Sequence, residues 1–73
     1  MFSEFEGKEV IVMVPSYATT PWLFKGKLVS SDDETTTILS EKMTQMAGIV
    51  HQDYDGEKMT INNRFIISVR ETN

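Results

Sequence analysis

Three consecutive residues, Asn62-Asn63-Arg64, combine two carboxamides with a guanidinium. A carboxamide both donates and accepts, and a guanidinium presents a planar fork of donors suited to phosphate, so together they can contact a base and the backbone beside it. The same residues also read as a turn, because Asn tolerates positive φ, with Arg as its solvated end. Tyr17, Trp22 and Phe24 offer flat faces on which single-stranded bases stack without sequence preference. Trp22 and Phe24 share the parity of Leu28, which suits a core, so Tyr17, on a loop, is the better stacking candidate. Lys25 and Lys27, with Arg70 elsewhere, can form a basic stripe; solvated surface is the plainer reading.

Catalytic and metal chemistry find less footing. No nucleophile stands beside a base, and no Gly-rich loop of phosphate-cradling form occurs. The chain has no Cys, hence no thiol nucleophile, disulfide or Cys-based metal site. Asp53-x-Asp55-Gly56-Glu57 resembles a calcium loop only superficially. An EF-hand starting at Asp53 wants Gly at its sixth position and Glu at its twelfth, where Lys58 and Arg64 stand. His51, the single histidine, is with Asp53 too little for a metal site. The expectation is a binding protein and not an enzyme, with no cofactor and no metal.

At 73 residues the chain is expected to be one domain, residues 1–73. A core of this size is marginally stabilising, and without disulfides oligomerisation is the remaining common remedy. Seven Lys plus Arg against eleven Asp plus Glu give a formal charge of −4, which opposes non-specific attachment to phosphate backbones and anionic membranes while leaving room for a local basic patch. No apolar run approaches the roughly 20 residues of a bilayer span, and the acidic N-terminal stretch lacks the pattern of a signal peptide. A soluble cytoplasmic protein is expected.

The elements that would position these residues are short and mostly extended. Ser3 and Glu6 fit a capping box around a short N-terminal helix, with Phe2 and Phe5 on one face and Gly7 as its stop. Val10–Val14 is a β-branched run followed by Pro15, read as a strand buried on both faces. Trp22–Ser31 is the second strand: Trp22, Phe24, Gly26 and Leu28 share one side and Lys25 and Lys27 the other. Gly26 inside that run marks a bend or close approach. The cluster Ser30-Ser31-Asp32-Asp33-Glu34 then ends the strand, with Asp32 as its structural turn cap. Thr35 to about His51 is mainly extended, with Met43–Ala47 helical or irregular and a bend at Gly48. Asp55-Gly56 is the strongest hairpin signal, Lys58–Ile61 the return strand, and Arg64–Arg70 the last strand, with Phe65, Ile67 and Val69 facing one way. Five short strands after one helical turn imply a mainly β, strongly bent antiparallel sheet that forms a closed or nearly closed small barrel.

In order and spacing these blocks resemble the Sm-like (LSm) family, which includes the bacterial Hfq proteins. Phe5-x-Gly7-Lys8-x-Val10-x-Val12 resembles the family's entry from its N-terminal helix into strand one. Gly26-x-Leu28-x-x-x-Asp32-Asp33, followed by Ile38-Leu39, has the spacing of the first Sm motif, and Ile61-Asn62-Asn63-x-x-Ile66-x-x-Val69 that of the second. The match covers nearly the whole chain in pattern. Another SH3-like or OB-like small barrel is the competing fold.

The resemblance implies an SH3-like (Sm) barrel and a homo-oligomeric ring in which the fourth strand of one subunit pairs with the fifth of the next. It implies binding of single-stranded RNA, or DNA, near the pore, between the loop after strand two and the loop before strand five. Those loops are Asp32–Thr37 and Asn62–Arg64 here. The chain departs from the family at the contact positions. Glu34 stands where an apolar or aromatic platform is usual, Thr36 replaces an Asn, and Asn62-Asn63 replaces an Arg-Gly pair; Arg64 can restore charge at the pore. Phage proteins also include very short rings of this kind. A protein-interaction or structural ring scaffold, such as a phage assembly component that has lost RNA recognition, is therefore the alternative function.

Overall fold

The computed structural model describes residues 1–16, 20–45 and 50–72, with the side chains of 45 and 50–54 also outside the description. A single 3-10 turn, Ser3–Phe5, precedes five strands: β1 (Glu9–Val14), β2 (Trp22–Ser31), β3 (Thr35–Gln45), β4 (Val50–Asn62) and β5 (Ser68–Glu71), with a second 3-10 turn, Asn63–Phe65, between the last two. The strands form one antiparallel sheet in the order β4-β3-β2-β1-β5. Among the described residues no helix is long and apolar enough to cross a membrane.

The two-residue period of β2 holds as expected. Gly26 and Leu28 are buried, Trp22 and Phe24 pack against the core, and Lys25 and Lys27 are exposed. Val10, Val12, Leu28 and Ile38 are fully buried and Val14 nearly so, and Phe2, Phe5, Met59, Ile61, Ile66 and Val69 close around them. Each fully buried aliphatic side chain contributes about 2 kcal/mol. β1 is not buried on both faces, however. Ile11 and Met13 are half-buried, because their face of the sheet carries Lys25 opposite Ile11 and Ser68 opposite Met13 instead of a covering apolar layer.

Four further expectations are corrected. The N-terminal helix is one 3-10 turn, and its N-cap is Phe2, with no side-chain cap bond from Ser3. Three residues cannot repay helix nucleation; the turn persists because Phe2 and Phe5 dock on the core and Gly7, at φ +82°, donates its N–H to the Leu28 carbonyl at 2.8 Å. Met43 to Gln45 belong to β3, and the rest of the Met43–Ala47 segment, like Gly48, lies outside the described residues.

The Asp55-Gly56 pair is not a hairpin turn. It lies inside β4, where Gly56 takes φ +65°. Between the pairs Ser40↔Glu57 and Lys42↔Asp53, β4 advances four residues while β3 advances two. This is a bulge, which needs the same positive φ as a tight turn without reversing the chain. The last strand is also shorter than expected. Asn63–Phe65 form a turn, which shifts the parity so that Ile66 and Val69 meet the core while Phe65 and Ile67 are 52% and 57% exposed.

Gly26 is required by close approach. A Cβ there would collide with the Leu39 carbonyl oxygen and stand 3.0 Å from the Cα of Ser40. The register between β2 and β3 also slips at Lys25/Gly26, so the sheet bends where the two backbones press together. Gly26→Ala is expected to destabilise the fold by about 3 kcal/mol through backbone overpacking. Gly56→Ala, in open space at positive φ, should cost only about 1 kcal/mol. Urea unfolding midpoints of the two variants check the difference.

Candidate nucleic-acid interface

The loop between β2 and β3 is built around Asp32. Its Oδ1 accepts the backbone N–H groups of Glu34 and Thr35, each at 2.8 Å, and its own N–H donates to the Thr35 carbonyl at 2.9 Å. Asp32 is thus the turn cap that the sequence indicated. The N–H groups of Thr35 and Glu34 also hold its carboxyl below its ordinary value of 3.8, because both bonds favour the ionised form.

The turn Asn63–Phe65 is capped in a similar way, by Asn62, whose side-chain oxygen accepts the Arg64 N–H at 3.1 Å. Asn63 then joins the two loops. Its backbone N–H donates to the Glu34 carbonyl at 2.8 Å, and its Nδ2 donates to the Asp32 carbonyl at 2.7 Å. Its Oδ1 accepts the Thr36 hydroxyl at 2.6 Å. Since the single hydroxyl proton of Thr36 is committed to Asn63, Ser31 Oγ is the donor in the 2.8 Å Ser31–Thr36 contact. Ser31 Oγ in turn accepts the Phe2 N–H at 3.0 Å, which ties the N-terminal segment to the same network.

Thr36 is fully buried and Asn63 is 7% exposed. Two of the residues expected to touch a ligand therefore hold the two loops to each other. The groups facing solvent are Glu34, Asn62 and Arg64, together with Phe65. The Arg64 guanidinium carbon lies 5.2 Å from the centre of the Phe65 ring, a cation–π contact on the surface. Behind this lip is a cavity of about 470 Å³, lined by Val14, Phe24, Met59, Ile61, Asn62 and Phe65 among others. Flat apolar walls with a cation at the rim can stack a base and hold its phosphate.

Neither a scan against protein-family models nor a comparison with curated proteins gives a match for this chain. The chemistry of the site rests on its own residues. Gly26 and Leu28 act at a distance from it, in the bend and core of β2. Tyr17 lies outside the described residues, as do the side chains of His51 and Asp53. Phe65 is the residue that sequence reasoning missed. Strand alternation assigned it to the inner face, and the turn-forming Asn62-Asn63 was the available signal that alternation would break there.

Replacing Asn63 by Ala removes the acceptor of the fully buried Thr36 hydroxyl and one of two donors to the Asp32 carbonyl, which keeps the Met1 ammonium at 2.9 Å, and should cost about 2 kcal/mol. Asn62→Ala, which removes an exposed cap, should cost about 1 kcal/mol, and Arg64→Ala less than about 0.5 kcal/mol. Denaturant titrations order the three. A depressed folded-state value for Asp32 means that its contribution is present above pH 3.8 and is lost as pH falls through the folded value. Asp32→Asn keeps an accepting oxygen but does not titrate, so its stability should decline less steeply with acid than that of the parent protein.

Proposed function

We propose that the chain is a non-catalytic, Sm-like protein that closes its bent sheet into a small SH3-like barrel, assembles into a homo-oligomeric ring and binds single-stranded RNA. The observation that carries this reading is the joining of the 31–36 and 62–65 loops through Asn63, which leaves Arg64 against Phe65 at an exposed lip. They overlap the two loops, Asp32–Thr37 and Asn62–Arg64, that the family resemblance assigns to RNA; Phe65 lies just beyond the second. Thr36 and Asn63 act as positioning residues, and Arg64, Phe65 and Asn62 are the contacts. Glu34, exposed beside them, disfavours phosphate close to the loop and restricts the contact to base stacking and the Arg64 side.

Assembly is supported by the sheet order, which leaves β4 and β5 as edges, and by the exposed Ile67. Unpaired edges are relieved when one copy's β4 meets the next copy's β5. The reading as a protein-interaction or structural scaffold draws on a separate observation: Asp32, Asp33 and Glu34 are all exposed on the same loop, in a chain of charge −4.

Fluorescence anisotropy with labelled U-rich, A-rich and mixed strands, as RNA and as DNA, distinguishes the two readings when paired with a mass measurement of the oligomer. The RNA-binding reading expects micromolar or tighter affinity, weakened about tenfold or more by Arg64→Ala with Phe65→Ala, since stacking on one aromatic is worth about 1–3 kcal/mol per base. No binding by a folded oligomer would overturn it in favour of the scaffold.

A further inference from the structure

Five of the seven basic side chains stand on one face of the sheet. Residues opposite each other on paired strands project to the same face, so the register builds rows across it. One row runs Lys58, Leu39, Lys27 and Glu9 from β4 to β1, and the next runs Lys42, Lys25, Ile11 and Arg70 from β3 to β5. The rows are about 7 Å apart, two residues of strand rise. Lys25, Lys27, Lys42, Lys58 and Arg70 are all exposed. Among the described residues none of the five is in an ion pair; the pair that forms is Lys8 with Glu71, at 3.4 Å, outside these rows.

The charge of the chain is therefore divided by face. Among the described side chains, Glu9 and Glu41, the bulge residue of β3, accompany the five cations. Elsewhere Lys8 and Arg64 stand with eight carboxylates, in a chain whose formal charge is −4. Hydrogen bonding to Glu41, with some desolvation, holds the Glu9 carboxyl above its ordinary 4.5, while Lys25 and Lys27 pull it the other way.

We infer that this lysine-rich face is a phosphate-tracking surface, which takes the sugar–phosphate backbone of a single-stranded nucleic acid by charge alone while the Arg64–Phe65 lip takes the bases. This rests on the nucleic-acid-binding reading above and supplies what that site lacks, because Asp32, Asp33 and Glu34 repel phosphate from the loop. Ammonium groups on flexible stems suit such a surface, since they act as mobile point charges toward phosphate and do not demand a fixed pairing geometry.

The test uses a labelled strand of abasic deoxyribose phosphates, which has the backbone and no bases, beside a base-bearing strand of equal length. Five phosphate contacts give a salt slope of about −3.5, or about hundredfold weaker binding at 200 mM than at about 50 mM salt. The full chain should bind both strands at low salt. Lys25→Gln with Lys27→Gln and Lys42→Gln should lower the slope by about 2 on both, and Lys58→Gln with Arg70→Gln, on the outer strands, by about 1.4. Phe65→Ala should weaken only the base-bearing strand.

Failure to bind the abasic strand at low salt, or an unchanged slope in both sets of folded variants, overturns the inference even if the base-bearing strand still binds through Phe65. Salt-sensitive self-association without binding of either strand also overturns it, and assigns the face to the acidic surface of another copy. If the base-bearing strand binds no better than the abasic one and is indifferent to Phe65→Ala, the loop site fails while the phosphate surface stands.

Discussion

The hydrogen bond from the Thr36 hydroxyl to the Asn63 carboxamide, 2.6 Å long and buried, is the constraint on which the site depends. Apolar burial holds the sheet together, but it is non-directional and would tolerate a loop sliding over the core. Buried polar groups do not, because each must find a partner at a specific distance and angle or lose its hydration uncompensated. Asn63 supplies its carboxamide and its backbone N–H to Thr36, Asp32 and Glu34, and so fixes where β3 begins relative to the entry into β5. The orientation of Arg64 and Phe65 follows from it, since the same turn that buries Asn63 puts the next two residues outside.

Much of this was legible in the residues. Alternation in Trp22–Leu28 gave the correct inner and outer faces, and the Asp32 cluster gave a true turn, because both depend on local chemistry alone. The errors arose where a local preference has two global uses. Asp55-Gly56 specifies a positive φ, and a positive φ serves a bulge inside β4 as well as a hairpin. Asn62-Asn63 lies at a turn as expected, but through the Asn62 side-chain cap and not through the positive φ expected of it, and a strand beginning at Arg64 would put Phe65 on the wrong face. The roles of Thr36 and Asn63 could not be read at all, since 27 residues separate them and only the folded register brings the hydroxyl to the amide. Adjacent carboxamides on a loop suggest ligand contact; burial makes Asn63 a clamp.

The distribution of charge gives the fold a polarity that its net value conceals. The acidic loops and the exposed Arg64–Phe65 lip lie apart from a sheet face on which lysines accumulate through strand register and not through sequence proximity: Lys25 and Lys27 are neighbours in the chain, whereas Lys42, Lys58 and Arg70 join them only across β3, β4 and β5. An acidic protein arranged in this way can repel non-specific polyanions at long range and still engage a strand that reaches the correct face. The bend at Gly26 and the bulge at Gly56 serve this arrangement by curving the sheet, so that the apolar side closes on the core and the charged side opens to solvent.

Amide hydrogen exchange under native conditions tests the clamp most directly. The N–H of Asn63, bonded to the Glu34 carbonyl, and that of Asp32, bonded to the Thr35 carbonyl, should be protected to the same extent as core strand amides such as Val12, because opening the loops requires global unfolding. Exchange of these two amides at the rate of a free loop, with Val12 still protected, would contradict the claim that Asn63 and Thr36 lock the two loops into one surface.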